Sequence, residues 1–319
     1  MSNIRRVAVI GLGSMGGAMA STLHRAGWTV TGFDPSEAAR DAAALTGIST
    51  TADLKELAGT PYAVLSLPSA SVVEATVPTL LAAPGTIAII DTTTSEPGTS
   101  KSMAELAASH DAAFVDAPVS GGRDGAATGS LSAFVGATDS ALTAAEPVLE
   151  ALTGGKYAHI GGPGSGNVVK LLNNVLAAAN LVSVGEALGV AKAYGIDPAV
   201  AAASISSASG GSKVSDAMYP NWVLSGTHNS GFSLGLMARD AALAIDVARQ
   251  MGQHPELLAA AASQWQDALA VLGPAADFTE IARTVAPDVT PAGAPDKTSA
   301  PDPTSTTDKT SAPDKSPAA

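Results

Sequence analysis

The sequence predicts an α/β N-terminal domain with a doubly wound, mostly parallel sheet and an all-α C-terminal domain, joined by a long helix and followed by a low-complexity tail. Three observations carry this. Short apolar runs alternate with helical stretches over the first 160 residues, the pattern of βαβ units. Residues 167–194 then form one unbroken helical pattern without proline, and the later periodic segments are helical too. From about Ala286 the chain turns to Pro, Ser, Thr, Asp and Lys. A length of 319 residues fits about two domains at roughly 150 residues each.

Taken in order, Val7–Ile10, Thr29–Phe33, Ala63–Leu67, Ile87–Ile90, Phe114–Asp116, Ser132–Val135 and Tyr157–Ile160 read as strands. Between them, 14–26, 36–44, 69–81 and 97–109 read as helices, and Gly27 is well placed to stop the first. The run Gly161-Gly162-Pro163-Gly164-Ser165-Gly166 breaks any element, so the domains are set at 1–164 and 165–286. Beyond the long helix, segments near 198–208, 234–250, 255–272 and 277–285 are helical by periodicity; Leu234, Met237, Ala241 and Ile245 form one apolar stripe. The segment 287–319 repeats Asp-Lys-Thr-Ser-Ala-Pro-Asp at 296–302 and 308–314 and has no large apolar side chain after Val289. It buries too little surface to offset chain entropy and reads as a disordered tail.

Composition excludes several roles. With no cysteine there are no disulfides, thiolate metal sites or cysteine nucleophiles. The net charge of -12 and the 4% aromatic content argue against nucleic acid as a partner. The longest apolar candidate, Leu171 to Gly185, contains Asn173, Asn174, Asn180 and Ser183, so no membrane span is expected. Arg5 and Arg6 before a mildly apolar run resemble a signal segment, but the run reads better as a strand entering a glycine turn. The expected location is cytoplasmic. The five histidines share no metal-like spacing, and no metal is expected.

That glycine turn carries chemistry. Gly11-Leu12-Gly13-Ser14-Met15-Gly16 follows a strand and opens a helix, and Asp34 ends the second strand 18 positions after Gly16. This is the Rossmann-like dinucleotide pattern. Gly11 permits the turn, Gly13 lets a pyrophosphate approach the backbone, and Gly16 lets helix and strand pack closely. The helix N-terminus offers free N–H groups to the phosphates. Asp34 can accept bonds from both ribose hydroxyls and repels a 2′-phosphate, which favours NAD over NADP. The bland alternatives are a plain tight turn and an aspartate initiating a turn before Pro35.

Two other stretches are unusual. Lys170 and Asn174 stand four residues apart on one helix face, with Asn173 beside them, among Val168, Val169, Leu171, Leu172 and Val175. The alternative reading is a snorkelling surface lysine. Asp116-Ala117-Pro118-Val119-Ser120-Gly121-Gly122, continuing through Gly125-Ala126 and Gly129-Ser130-Leu131, exposes a hydroxyl and backbone N–H groups suited to a carboxylate. The alternative is a glycine hairpin.

Together these motifs, with Leu67-Pro68, Asp91-x-Thr93-Thr94-x-x-Pro97 and Gly164-x-Gly166, resemble the β-hydroxyacid dehydrogenase family over about 5–285. The family includes 3-hydroxyisobutyrate dehydrogenase and tartronate semialdehyde (2-hydroxy-3-oxopropionate) reductase. The resemblance implies hydride transfer between NAD and a small β-hydroxy acid, with Lys170 as general acid/base and Asn174 orienting the substrate. It implies that Ser120, Gly121 and Gly122 bind the substrate carboxylate, and that Leu67, Pro68 and Thr94 line the cofactor site. It also implies a homodimer or homotetramer assembled through the helical domains. Where the family has Lys-Asp beside the cofactor, this chain has Arg239-Asp240; Arg239 takes the cofactor-side position with a bulkier, planar cation. The alternatives are an NADPH-linked semialdehyde or imine reductase and a non-catalytic, NAD-responsive scaffold module. Lys170 argues against the imine reductases.

Overall fold

The computed structural model describes residues 5–289. The first half runs β1 (Arg6–Ile10), α1 (Ser14–Arg25), β2 (Thr29–Phe33), α2 (Glu37–Ala44), β3 (Ser49–Thr51), β4 (Tyr62–Leu65), α3 (Ala70–Leu80), β5 (Ala88–Asp91), α4 (Pro97–Ala108) and β6 (Ala113–Asp116). It continues through β7 (Val119–Ser120), α5 (Gly122–Thr128), β8 (Ser132–Gly136), α6 (Asp139–Thr153) and β9 (Tyr157–Gly161). The sheet order is β3-β2-β1-β4-β5-β6-β8, with β7 and β9 also pairing β8. The strands from β3 to β6 are parallel, while β8 lies antiparallel to β6 and β7. The seven expected strands are all present; β3 and β7 are too short to show a period of two in the sequence.

Alternation along each strand separates two cores. Val7, Val9, Val64, Ile90 and Val115 point towards Met19 and Leu23 of α1 and Val148 and Leu149 of α6. Ala8, Ile10, Leu65, Ile89 and Phe114 point towards Val73 and Val77 of α3 and Met103 of α4. Burial on both faces explains why these strands read as continuous apolar runs.

The second half is helical and built round α7 (Ser165–Ala193). Around it pack α8 (Pro198–Ser206), α9 (Leu234–Gln250), α10 (Glu256–Leu272) and α11 (Ala282–Val285). By length and composition α7 could cross a membrane. Here Leu171, Val175, Ala178, Leu181 and Leu188 form the spine of the helical core. Its carbonyls also take bonds from buried aromatic residues: Tyr219 Oη donates to Leu181 O at 2.8 Å and Trp265 Nε1 to Ala178 O at 3.2 Å. Gly185 admits the tyrosine, since a Cβ there would stand 2.5 Å from Oη.

The structure departs from the expected elements in places. Residues Val214–Val223 form a π-helical segment containing Pro220, where helical periodicity gives no clear signal. The helix expected over 277–285 is a 3₁₀ turn, Phe278–Ile281, running into α11, because Asp277 and Glu280 make a tight capping box. Packing continues past Ala286: Val289 is buried, and Lys192 Nζ donates to the Asp288 carbonyl. The tail expectation for 290–319 lies outside the described residues.

Parallel pairing sets Asp91 of β5 beside Asp116 of β6, both fully buried. Burial pushes Asp91 up to about 7 and Asp116 to about 6, against 3.8 ordinarily. Between about pH 4 and 7 the folded chain holds protons that the unfolded chain has released, so these groups make stability fall as pH rises. Asp91→Asn should therefore stabilise the protein more at pH 8 than at pH 5, by on the order of 1–3 kcal/mol in urea unfolding. An equal effect at both pH values contradicts a raised Asp91.

Candidate active site

The expected cofactor residues lie on connections that leave the carboxyl ends of neighbouring strands: Gly11–Gly16 after β1, Asp34 after β2, Leu67 and Pro68 after β4, and Thr94 after β5. In an open parallel sheet this edge, at the switch of strand order, is where ligands bind. The connections are mutually fastened. Gly11 N–H donates to Phe33 O at 2.8 Å, and Leu67 N–H to Thr93 Oγ1 at 3.1 Å.

Each fingerprint glycine has its own reason. A Cβ on Gly11, which sits at φ +91°, would stand 2.2 Å from Ser66 O, and one on Gly16 1.8 Å from Gly11 O. A Cβ on Gly13 would meet no protein atom within 4 Å, so its absence keeps open the space above the helix start. Gly13 caps α1 without a side chain, which leaves the first-turn N–H groups of Ser14, Met15 and Gly16 available. Asp34 Oδ2 accepts Leu12 N–H at 2.8 Å and its Oδ1 accepts Ser36 N–H at 2.9 Å. It both shapes the loop and starts the turn, and retains lone pairs for a ligand. An open cradle, free helix N–H groups and an acidic residue at the end of β2 fit a dinucleotide.

Ser120 ends β7, and Gly121 and Gly122 follow at φ +126° and +62°, conformations that favour glycine. Both glycines are exposed. The following α5 is tied to α1, with Thr22 Oγ1 donating to Ala126 O at 2.6 Å and Arg25 to Ala127 O. The Ser-Gly-Gly turn is thereby held relative to α1.

Lys170 and Asn174 lie on α7. Lys170 is partly exposed, and its amine makes no hydrogen bond or ion pair within 4.0 Å among the described residues. Crowding by protein pulls its pKa down, and the Asp240 carboxylate works in the opposite direction without cancelling it. Asn174 is buried; its Nδ2 donates to Asp240 Oδ2 at 2.7 Å, and its Oδ1 accepts from Asn173 at 3.1 Å. Arg239 grips the other oxygen: Nη2 and Nε donate to Asp240 Oδ1 at 2.8 and 3.1 Å. Its Nη1 crosses to Pro68 O at 2.7 Å. Thus α9 joins the helix carrying Lys170 to the β4–α3 connection. Asp240 as Asn174's partner leaves no sign in the sequence, because the two are 66 residues apart and on different helices. Arg40, whose Nη1 donates to Asp34 O and Pro35 O at 2.7 and 3.0 Å, was also not singled out.

Known proteins resemble the chain along both of its halves. Residues 6–161 match the family described as the NAD binding domain of 6-phosphogluconate dehydrogenase, and 164–285 that described as NAD-binding of NADP-dependent 3-hydroxyisobutyrate dehydrogenase. The chain is 33% identical over 268 residues to 2-(hydroxymethyl)glutarate dehydrogenase of Eubacterium barkeri, covering 81% of this chain and 87% of that one. It is 33% identical over 258 residues to the NAD-dependent L-serine dehydrogenase of Pseudomonas aeruginosa, covering 77% and 86%. The structure of Mycobacterium tuberculosis 3-hydroxyisobutyrate dehydrogenase with L-serine superposes with a TM-score of 0.82 at 31% identity, covering 88% of this chain and 99% of that one. With both domains matched in order and full-length relatives sharing a third of the sequence, the chain belongs to the β-hydroxyacid dehydrogenase family and is an NAD(P)-dependent oxidoreductase acting on the CH–OH group of small hydroxy acids.

Proposed function

We propose that the enzyme oxidises a small β-hydroxy acid of the 3-hydroxyisobutyrate or L-serine kind, with NAD preferred over NADP and Lys170 as general acid/base. The observation that carries this reading is a partly exposed lysine amine, crowded by protein and with no ion-pair partner within 4.0 Å among the described residues, four residues before a buried asparagine on the same helix. An ordinary lysine, near 10.5, holds its proton too tightly to act as a base at neutral pH; desolvation moves Lys170 towards a useful value. Asn174, held by Asp240, keeps one amide N–H to orient the substrate hydroxyl. Ser120, Gly121 and Gly122 receive the carboxylate. When bound, the nicotinamide supplies the hydride acceptor. Lys170 takes the hydroxyl proton in oxidation and returns it in reduction.

The Gly11–Gly16 turn holds the pyrophosphate, Asp34 the adenosine ribose, and Leu67, Pro68 and Thr94 line the cofactor site. Arg239 acts there through its bond to the Pro68 carbonyl. Residues 1–164 are the cofactor domain and 165–286 the substrate and dimerisation domain. Leu172, Leu176 and Val190 leave apolar surface on the outside of α7, which supports a homodimer or homotetramer built there. A cytoplasmic location goes with this reading, since turnover needs a nicotinamide pool that is continually recycled.

Four measurements test these assignments. Lys170→Ala should cut turnover by about 10²–10⁴-fold with NAD affinity retained. Wild-type oxidative turnover should rise with pH and level off below the ordinary lysine value of 10.5. Wild-type rates in the variant remove Lys170 from the chemistry. Asp34→Ser should weaken NAD binding by about tenfold and raise the relative use of NADP, since a hydrogen bond to a charged group is lost. Arg40 then remains beside the ribose subsite without that carboxylate. A wild type that prefers NADP refutes the NAD assignment. Leu176→Asp should lower the molecular mass seen by analytical ultracentrifugation, whereas a monomeric wild type removes the interface.

A further inference from the structure

A helix start leaves N–H groups that need acceptors. In α7 the N-cap is Gly164, at φ +90°, and no side chain of its own caps it. The acceptor comes from the sheet. Asp116, at the end of β6, accepts Gly164 N–H on Oδ1 at 2.7 Å and Asn167 N–H on Oδ2 at 3.0 Å. Asn167 is the third residue of the helix, a position that a local capping side chain often serves. Two glycines make the room: a Cβ on Gly136 would stand 2.4 Å from Asp116 Oδ1, and one on Gly166 2.8 Å from Oδ2.

The other side of the helix start is held as tightly. Asn167 is fully buried; its Oδ1 accepts Ser95 N–H at 3.0 Å and its Nδ2 donates to Ser100 Oγ at 3.0 Å. Ser95 lies in the connection after β5 and Ser100 in the first turn of α4. The first turn of α7 is thus bonded to β6 on one side and to the β5–α4 segment on the other. Lys170 follows Asn167 by three residues, less than one helical turn, so a slide or rotation at the clamp is passed directly to the amine. A buried carboxylate is costly where apolar packing would suffice. Here its oxygens are directed at N–H groups, which defines a single helix setting.

We propose that Asp116 and Asn167 are the positioning residues for Lys170: the carboxylate and the amide fix where α7 starts and therefore where its lysine stands in the cleft. This inference rests on reading Lys170 as the acid/base. In Asp116→Asn one oxygen becomes an NH₂ group that cannot accept a backbone N–H. A displacement of about 1 Å can cost about 100-fold in rate.

The full-length Asp116→Asn protein is assayed with NAD and whichever of L-serine and 3-hydroxyisobutyrate the wild type oxidises faster, with NAD binding followed separately. The expected result is a fall of about tenfold or more in kcat. NAD affinity is kept, and the pH midpoint of kcat moves up towards that of an ordinary lysine. Asn167→Ala leaves the Asp116 bonds to backbone intact and removes only the ties to Ser95 and Ser100. It should show the same upward movement with a smaller fall in kcat, and it is the deciding variant if Asp116→Asn does not fold. A wild-type kcat and midpoint in the deciding variant overturn the proposal. So does a loss of kcat matched by an equal loss of NAD affinity with the midpoint unmoved, which marks a merely structural role. Lys170→Ala separates the two claims. If it turns over normally, the acid/base reading fails. If it is inactive while the deciding clamp variant behaves as wild type, the positioning pair fails.

Discussion

A helix that starts without a cap of its own must find acceptors elsewhere, and α7 finds them at the edge of the sheet. The carboxylate of Asp116 and the amide of Asn167 join the two halves of the molecule where the strand connections end and the helical core begins. Most of the site is defined relative to this junction. The β4 and β5 connections lie on one side of it, and Lys170 and Asn174 follow it within three turns. The close approach is possible only because Gly136 and Gly166 carry no side chains.

A second chain of contacts joins the helical half to the β4–α3 connection. Asp240 receives Asn174 on one oxygen and Arg239 on the other, and Arg239 extends to the carbonyl of Pro68. Electrostatically this matters to Lys170. A lone buried carboxylate nearby would hold the lysine proton firmly. Here burial of the lysine outweighs the pull of Asp240, and the net effect on Lys170 is downward. Arg239 thus pairs with Asp240 and ties the β4–α3 connection to α9.

Much of the architecture was legible in the sequence because it follows from local rules. Val7–Ile10 running into Gly11-x-Gly13-x-x-Gly16 is a strand, a turn and a helix start in immediate succession, and the long helix from Ser165 has no internal proline. The short elements were not legible. β3 and β7 have three and two residues, and the π-helical stretch over Val214–Val223 has a period for which the apolar pattern gives no sign. Asp116 was visible only as the first residue of a motif whose other members looked more functional.

The order of strands and helices, the glycine positions and the pairing of Lys170 with Asn174 on one helix face are sequence properties, because each depends on neighbours within a turn or a strand. What Asp116, Asn167, Asp240 and Arg239 do was decided only by the tertiary structure. Their partners lie 48 to 171 residues away, apart from the adjacent Arg239–Asp240 pair. Hydrogen bonds over such separations leave no periodicity in the chain, since burial and direction arise only once the sheet edge and the helical core have met.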